Sequence, residues 1–94
     1  MVHQQQMAQI FKVLSVEARV RIVQLLKDRV LCVNALASHL KISPAGVSQH
    51  LRVLRDAGLV SPEKRGYYVH YCINQKTLDK WRLLADRLLG GSVK

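Results

Sequence analysis

The sequence predicts a mainly α domain carrying one small β-hairpin, in the order α, α, β, α, α, β, β, α. Three observations lead there. Apolar residues recur at helical spacing over most of the chain. Between Leu59 and Ile73 that period gives way to alternation around Lys64, Arg65 and Gly66. Two of the short helical stretches are also joined by only a few residues that end in the strong cap Ser43.

Met7, Ile10, Phe11 and Leu14 follow i, i+3, i+4, i+7 and predict a first helix from about His3 to Leu14. Ser15 is suited to cap a second, whose stripe of Val16, Val20, Val23 and Leu26 ends near Lys27. Leu31, Cys32 and Val33 are too few for a helix and suit a short strand, after which Asn34 can cap a helix carrying Leu36 and Leu40. Lys41 and Ile42 make a tight connection. Ser43 then caps a fourth helix with Pro44 at its first position, where a missing N–H does no harm. Ile42, just before the cap, and Val47, four residues after it, form a hydrophobic staple. Two short helices with so small a turn predict a helix-turn-helix over about residues 34–57. Gly58 stops the fourth helix. In the hairpin of residues 59–73, Val69, Tyr71 and Ile73 alternate with Tyr68, His70 and Cys72. Asn74 caps a last helix, about 75–89, carrying Leu78, Trp81, Leu84, Ala85 and Leu88 and stopped by Gly90 and Gly91.

Ninety-four residues without a linker, repeat or low-complexity tract predict one domain, residues 1–94, whose small core favours self-association. No apolar run approaches the length of a membrane span, and MVHQQQ has neither the basic nor the apolar part of a signal peptide, so a cytoplasmic protein without a membrane partner is expected. Fifteen Lys and Arg against six Asp and Glu leave a formal charge of +9, which favours a polyanionic partner. Two cysteines forty residues apart in such a chain are expected as reduced thiols.

The fourth helix carries the functional signal. At 100° per residue Val47, Leu51 and Leu54 share one narrow arc and face the core, while Ala45, Ser48, Gln49 and Arg52 gather on the other side. An ordinary solvated face carries long charged side chains throughout. Here Ser43, Ala45 and Gly46 keep the helix start small, and hydrogen-bonding groups follow at once. That arrangement suits a helix entering a DNA major groove N-terminus first, with its positive dipole end near phosphate. Lys64 and Arg65 at the hairpin tip are placed to meet backbone or minor groove. His50 reads as a boundary residue and Arg55 as a flanking phosphate contact. Catalysis is not indicated: no nucleophile has an adjacent base, there is no Gly-rich phosphate loop, and Ser48, Gln49 and His50 lie on different faces. The alternative from another class is an interaction module of the same fold that never reads DNA.

The segments FKVLSVEARVRIVQLL, LCVNALASHLKISPAGVSQHLRVLRDAGLV and KRGYYVHYCI, running in this order from residue 11 to 73, resemble the ArsR/SmtB family of small dimeric bacterial repressors with a winged helix-turn-helix. The resemblance implies a homodimer that binds double-stranded operator DNA and is released by an inducer. It also implies a dimer interface built by the first and last helices, here Met7, Phe11, Leu78, Trp81, Leu84 and Leu88. Members that bind arsenite, cadmium or lead can carry Leu-Cys-Val-Cys-Asp-Leu at the third helix, where this chain has Leu31, Cys32, Val33, Asn34, Ala35 and Leu36. Half of that thiol pair is absent. A last-helix site of carboxylates and His is not available in its usual form either, since no His follows His70; His3, His39 and His70 are scattered and read as surface residues.

The thiols nonetheless invite one hypothesis. If the short strand pairs with the returning strand of the hairpin so that Leu31, Cys32 and Val33 lie against Tyr71, Cys72 and Ile73, alternation turns Cys32 and Cys72 to the same outer face, directly opposed. A thiophilic metal ion or an oxidant is then the expected effector, and no other cofactor is indicated.

Overall fold

In the computed structural model the described residues are 2–90. The elements are α1 (Val2–Val13), α2 (Glu17–Leu26), β1 (Leu31–Cys32), α3 (Val33–Leu40), α4 (Pro44–Asp56), β2 (Val60–Arg65), β3 (Tyr68–Ile73) and α5 (Gln75–Leu89). Order and type match the expectation; several boundaries do not. Ser15 does not cap α2, whose N-cap is Val16 without a side-chain bond. Its hydroxyl instead donates to the Lys12 carbonyl at 2.8 Å, and Arg19 Nε donates to the Val13 carbonyl at 2.7 Å. Both serve the orphan carbonyls at the end of α1, which compete for the same donors. Asn34 does not cap α3 either. Cys32 is extended by its pairing in the sheet and so takes the N-cap position itself, and Val33 is already helical. Gly91 lies outside the described residues, as does the side chain of His3.

The joint between α3 and α4 is tight because Lys41 adopts a left-handed conformation, φ 60°. Its N–H and that of Ile42 both donate to the Ala37 carbonyl, at 2.8 and 3.3 Å, closing the end of α3. The chain can then restart at once as α4. At the other end of α4, Gly58 (φ +80°) makes the reversal, with Leu59 N–H reaching the Leu54 carbonyl at 2.9 Å and Gly58 N–H the Arg55 carbonyl at 2.8 Å.

Val47, Leu51 and Leu54 of α4 are fully buried with Ile22, Leu36 and Leu59 at the centre of the core. Each such side chain contributes roughly 1.5–3 kcal/mol by leaving water, so α4 is held by one face and its opposite face is free. The three strands form an antiparallel sheet in the order β1-β3-β2. Leu31, Val60, Tyr71 and Ile73 pack toward the core. Among the described residues no helix is long and apolar enough to cross a membrane.

The register of β1 differs from the expected one. Leu31 pairs with Tyr71 and Cys32 with His70, so Cys32 does not oppose Cys72. Cys72 opposes Ser61 on β2 instead. The reason is the early start of α3: with Val33 helical, β1 has only two residues, and these pair against positions 70 and 71. A two-residue offset preserves face parity, so Cys32, His70 and Cys72 still share the outer face. As diagonal neighbours the two cysteines stand about 7–8 Å apart, with their β-carbons somewhat closer, still wider than the ~3.8 Å of a disulfide.

Candidate nucleic-acid interface

The N-terminus of α4 is built by Ser43, whose Oγ accepts from the Gly46 N–H at 3.0 Å while its carbonyl accepts from Val47 at 3.0 Å. Pro44 has no N–H, so Ala45 holds the one first-turn donor without an intrahelical acceptor. The glycine has a reason internal to the helix. A Cβ at position 46 would lie 3.3 Å from Ser43 Oγ and 3.7 Å from Ile42 Cδ1, so it would crowd the capping hydroxyl and touch the staple residue.

Beyond this cap, Ala45, Ser48, Gln49 and Arg52 are all exposed, with Arg55 beside them; His50 is half-buried at the border of the core stripe. A groove of about 290 Å³ runs between α4 and the hairpin, lined by Ser48, Leu51, Arg52, Arg55, Asp56 and Tyr71. The polar face of α4 and the sheet therefore meet along a shared, mostly polar channel. Among the described residues the only ion pair is Arg65 Nη2 to Glu63 Oε1 at 3.2 Å. Arg52 and Arg55 thus bring their charge to the groove without a carboxylate partner, although Asp56 shares the lining.

The wing consists of β2, β3 and the two-residue turn Gly66-Tyr67. Gly66, at φ +63°, supplies the positive φ that a primed hairpin turn needs at its first central residue. Lys64 pairs with Val69 and Arg65 with Tyr68, so their side chains leave opposite faces of the ribbon. Arg65 is half-exposed and its contact with Glu63 is a surface pair worth about 0–1 kcal/mol, so a phosphate can replace the carboxylate at little cost. At the tip Tyr67 is 99% exposed, with Tyr68 at 64%. Sequence reading passed over Tyr67. The available signal was a large aromatic ring at a turn position usually given to a small polar residue.

The six residues expected at a dimer interface divide into two groups. Trp81 (9% exposed) and Leu84 (7%) are core residues of the protomer, with Met7 and Leu78 packed against them. Phe11 and Leu88 are exposed, joined on the surface of α5 by Leu89, which the periodicity did not single out. A helix stripe read from sequence does not distinguish a residue covered by its own chain from one awaiting another.

The outer face of the sheet holds the thiols. Cys72 Sγ lies 3.6 Å from Ser61 Oγ and 3.7 Å from the Ser61 carbonyl, both weak sulfur contacts. His70 Nδ1 is buried without a hydrogen-bond partner. Among the described residues no group of three or more His, Cys, Asp or Glu is arranged to hold a metal ion. The donors of one protomer therefore do not fit a closed thiolate site.

Comparison with known proteins agrees with this geometry. Residues 17–61, from α2 to the start of β2, match the family model of bacterial regulatory proteins of the arsR family. Over 85 residues the chain is 36% identical to the transcriptional repressor SmtB homolog of Synechocystis sp., a match covering 89% of this chain and 64% of that protein. The chain thus spans a little under two thirds of that relative. It is 32% identical over 72 residues to the transcriptional repressor SdpR of Bacillus subtilis, covering 77% of this chain and 80% of the other. A crystal structure of a possible transcriptional regulator for arsenical resistance superposes with a TM-score of 0.75 at 36% identity, covering 92% of this chain and 98% of its own.

Proposed function

We propose, for a chain that belongs to the ArsR family of bacterial regulatory proteins, that it is a DNA-binding transcriptional repressor acting as a homodimer on an operator in the cytoplasm. The observation that carries this reading is the groove shared by α4 and the wing, with Ser48, Arg52 and Arg55 along it. Ala45, Ser48, Gln49 and Arg52 enter the major groove from the exposed face of α4, with Gln49 and Arg52 reading base edges. Ser43 and Gly46 close the helix start that makes this approach. One strand of the DNA backbone follows the channel toward the wing, where Arg55 meets phosphate. Lys64 and Arg65, leaving opposite faces of the ribbon, straddle the flanking backbone and minor groove. The exposed Phe11, Leu88 and Leu89 cover one another between two copies of the chain. Two α4 helices about 34–36 Å apart then address a near-palindromic operator.

Release by an effector is part of the same reading. A thiophilic metal is the natural candidate from the arsenical-resistance neighbour, yet the donor set around Cys32 and Cys72 gives it no support.

The test is to select retained duplexes from a random pool with the purified chain, then measure affinity for the selected site and a scrambled copy across a salt series. The reading expects a two-fold-related site bound at least about a thousandfold more tightly than scrambled DNA, with repression of a reporter placed behind that site. Equal affinity for both duplexes, or a footprint confined to one half-site, refutes it.

A further inference from the structure

We propose that Tyr67, at the apex of the hairpin, enters the minor groove beside each half-site and reads its floor, favouring A·T over G·C pairs there. This rests on the DNA-binding reading and adds to it a sequence preference that α4 does not supply.

The turn itself does not call for a tyrosine. In the pair Gly66-Tyr67 only the glycine has a positive φ, which makes the turn type II′ and leaves its second central position open to any side chain. A small polar residue would satisfy it. The position instead carries a large ring that stands clear of the fold: Tyr67 is the most exposed large hydrophobic residue among those described, and Tyr68 and Val69 after it are exposed too. Such a ring, apolar in body and polar at its hydroxyl, contributes nothing to the core of the protomer.

Its neighbours indicate what it meets. Lys64 and Arg65 precede it and leave opposite faces of the ribbon. Glu63 is the only carboxylate on either strand of the hairpin, and Arg65 is paired with it. The ring therefore leads a tip that is positive on both flanks. A minor groove offers phosphate walls to the flanks and, between them, sugars and base edges to an amphipathic ring. With a width of about 6 Å, it admits that ring edge-on.

Reach agrees with this placement. Tyr71 lines the channel that the wing shares with α4, and the four residues of chain from Tyr71 to Tyr67 extend about 13 Å farther. Half the diameter of α4 adds about 5–6 Å, so a ribbon laid along the duplex carries its apex about 18–19 Å from the helix axis. One turn of duplex is about 34–36 Å, which puts the adjoining minor groove about 17–18 Å from a major groove filled by α4. At its floor, A·T and T·A pairs present only the acceptors N3 and O2, to which the Tyr67 O–H donates. A G·C pair adds the guanine 2-amino group, which stands in the path of the ring.

The experiment takes the full chain and the duplex it selects from a random pool. Pairs about five positions to either side of each half-site centre, half a turn away, are exchanged among A·T, G·C and inosine·C. Inosine keeps the major-groove edge of guanine and lacks the 2-amino group, so inosine·C has the minor-groove floor of A·T. The parent is expected to bind A·T and inosine·C flanks alike, and G·C flanks about fivefold or more weakly on at least one side. Tyr67→Ser closes that gap, Tyr67→Phe leaves an intermediate one, and Arg65→Ala weakens all three duplexes alike with the gap intact. Equal affinity of the parent for all three flanks overturns the role of Tyr67, as does a gap that survives in Tyr67→Ser. Inosine·C flanks weakened as much as G·C flanks place the readout in the major groove, which also overturns it. Discrimination by Tyr67→Phe equal to that of the parent overturns the part given to the hydroxyl. Each of these leaves the DNA-binding reading standing, whereas a chain that binds no duplex overturns both.

Discussion

Gly46 is the position where helix propensity and the Ser43 cap make opposite demands, and a double-mutant cycle with Ser43 separates them. Replacing Gly by Ala in a helix gains about 1 kcal/mol of intrinsic propensity. In this chain the new Cβ lands 3.3 Å from Ser43 Oγ, closer than such contacts comfortably run, and the hydroxyl is at the same time accepting from the Gly46 N–H at 3.0 Å. To relieve the contact the hydroxyl must withdraw by a few tenths of an ångström, stretching that bond and giving up about half of a cap worth ~1 kcal/mol. Gly46→Ala alone is therefore expected to stabilise by only about 0.5 kcal/mol. Ser43→Ala alone loses the cap and costs about 1 kcal/mol. In the Ser43→Ala background the crowding is gone, and Gly46→Ala recovers the full ~1 kcal/mol, a coupling of about 0.5 kcal/mol. Urea unfolding of all four proteins at one fixed chain concentration measures this, since self-association of the kind proposed makes stability depend on concentration. Because the missing Cβ points at the cap and at Ile42, operator affinity of Gly46→Ala should change less than about threefold. A coupling below about 0.2 kcal/mol together with a tenfold loss of operator binding would refute the assignment and make Gly46 a groove contact.

For readout, Gln49→Ala should narrow the gap between selected and scrambled DNA, whereas Arg65→Ala should weaken both alike and lower the salt slope by about one; the same salt series checks both. Trp81→Ala should cost about 3–5 kcal/mol of stability, because Trp81 is only 9% exposed in the protomer core. Phe11→Ser should instead weaken self-association in sedimentation while leaving the helical circular dichroism of the protomer intact. Gly58→Ala should destabilise by about 1–2 kcal/mol, since position 58 holds φ +80°, and thermal unfolding reads this directly. Cys32→Ser and Cys72→Ser should each leave the response of operator binding to arsenite, cadmium or mild oxidant as it is in the parent; loss of a response in both would restore a shared thiol site.

Much of the fold was legible because it is written in local terms. Stripes at 3.6-residue spacing placed all five helices, the switch to alternation after Gly58 placed the wing, and the Ser43-Pro44 cap and Asn74, whose Oδ1 does accept from the Thr77 N–H, placed two helix starts to the residue. The exposed face of α4 followed from the same arithmetic: once Val47, Leu51 and Leu54 are committed to the core, the direction of Ser48, Gln49 and Arg52 is determined. Caps with competing partners were not legible. Ser15 had two helix ends within reach, and only the fold decided that it serves α1.

Tertiary structure alone decided three further matters. Strand register is a non-local choice, and a shift of two residues keeps every side chain on its face, so the hydrophobic pattern of Leu31, Tyr71 and Ile73 could not report that Cys32 faces His70 and not Cys72. Lys41 gives no sign of its left-handed conformation in the sequence, because that C-cap position ordinarily falls to Gly or Asn and not to a long side chain. A cleft over Trp81 joins residues from α1, α5 and the cap of α4, from Gln5 to Leu84, that are up to 79 positions apart, and no periodicity within one element can reveal a space between three. Side-chain period is a property of each segment by itself, while register, strain and concavity arise only when segments are brought against one another.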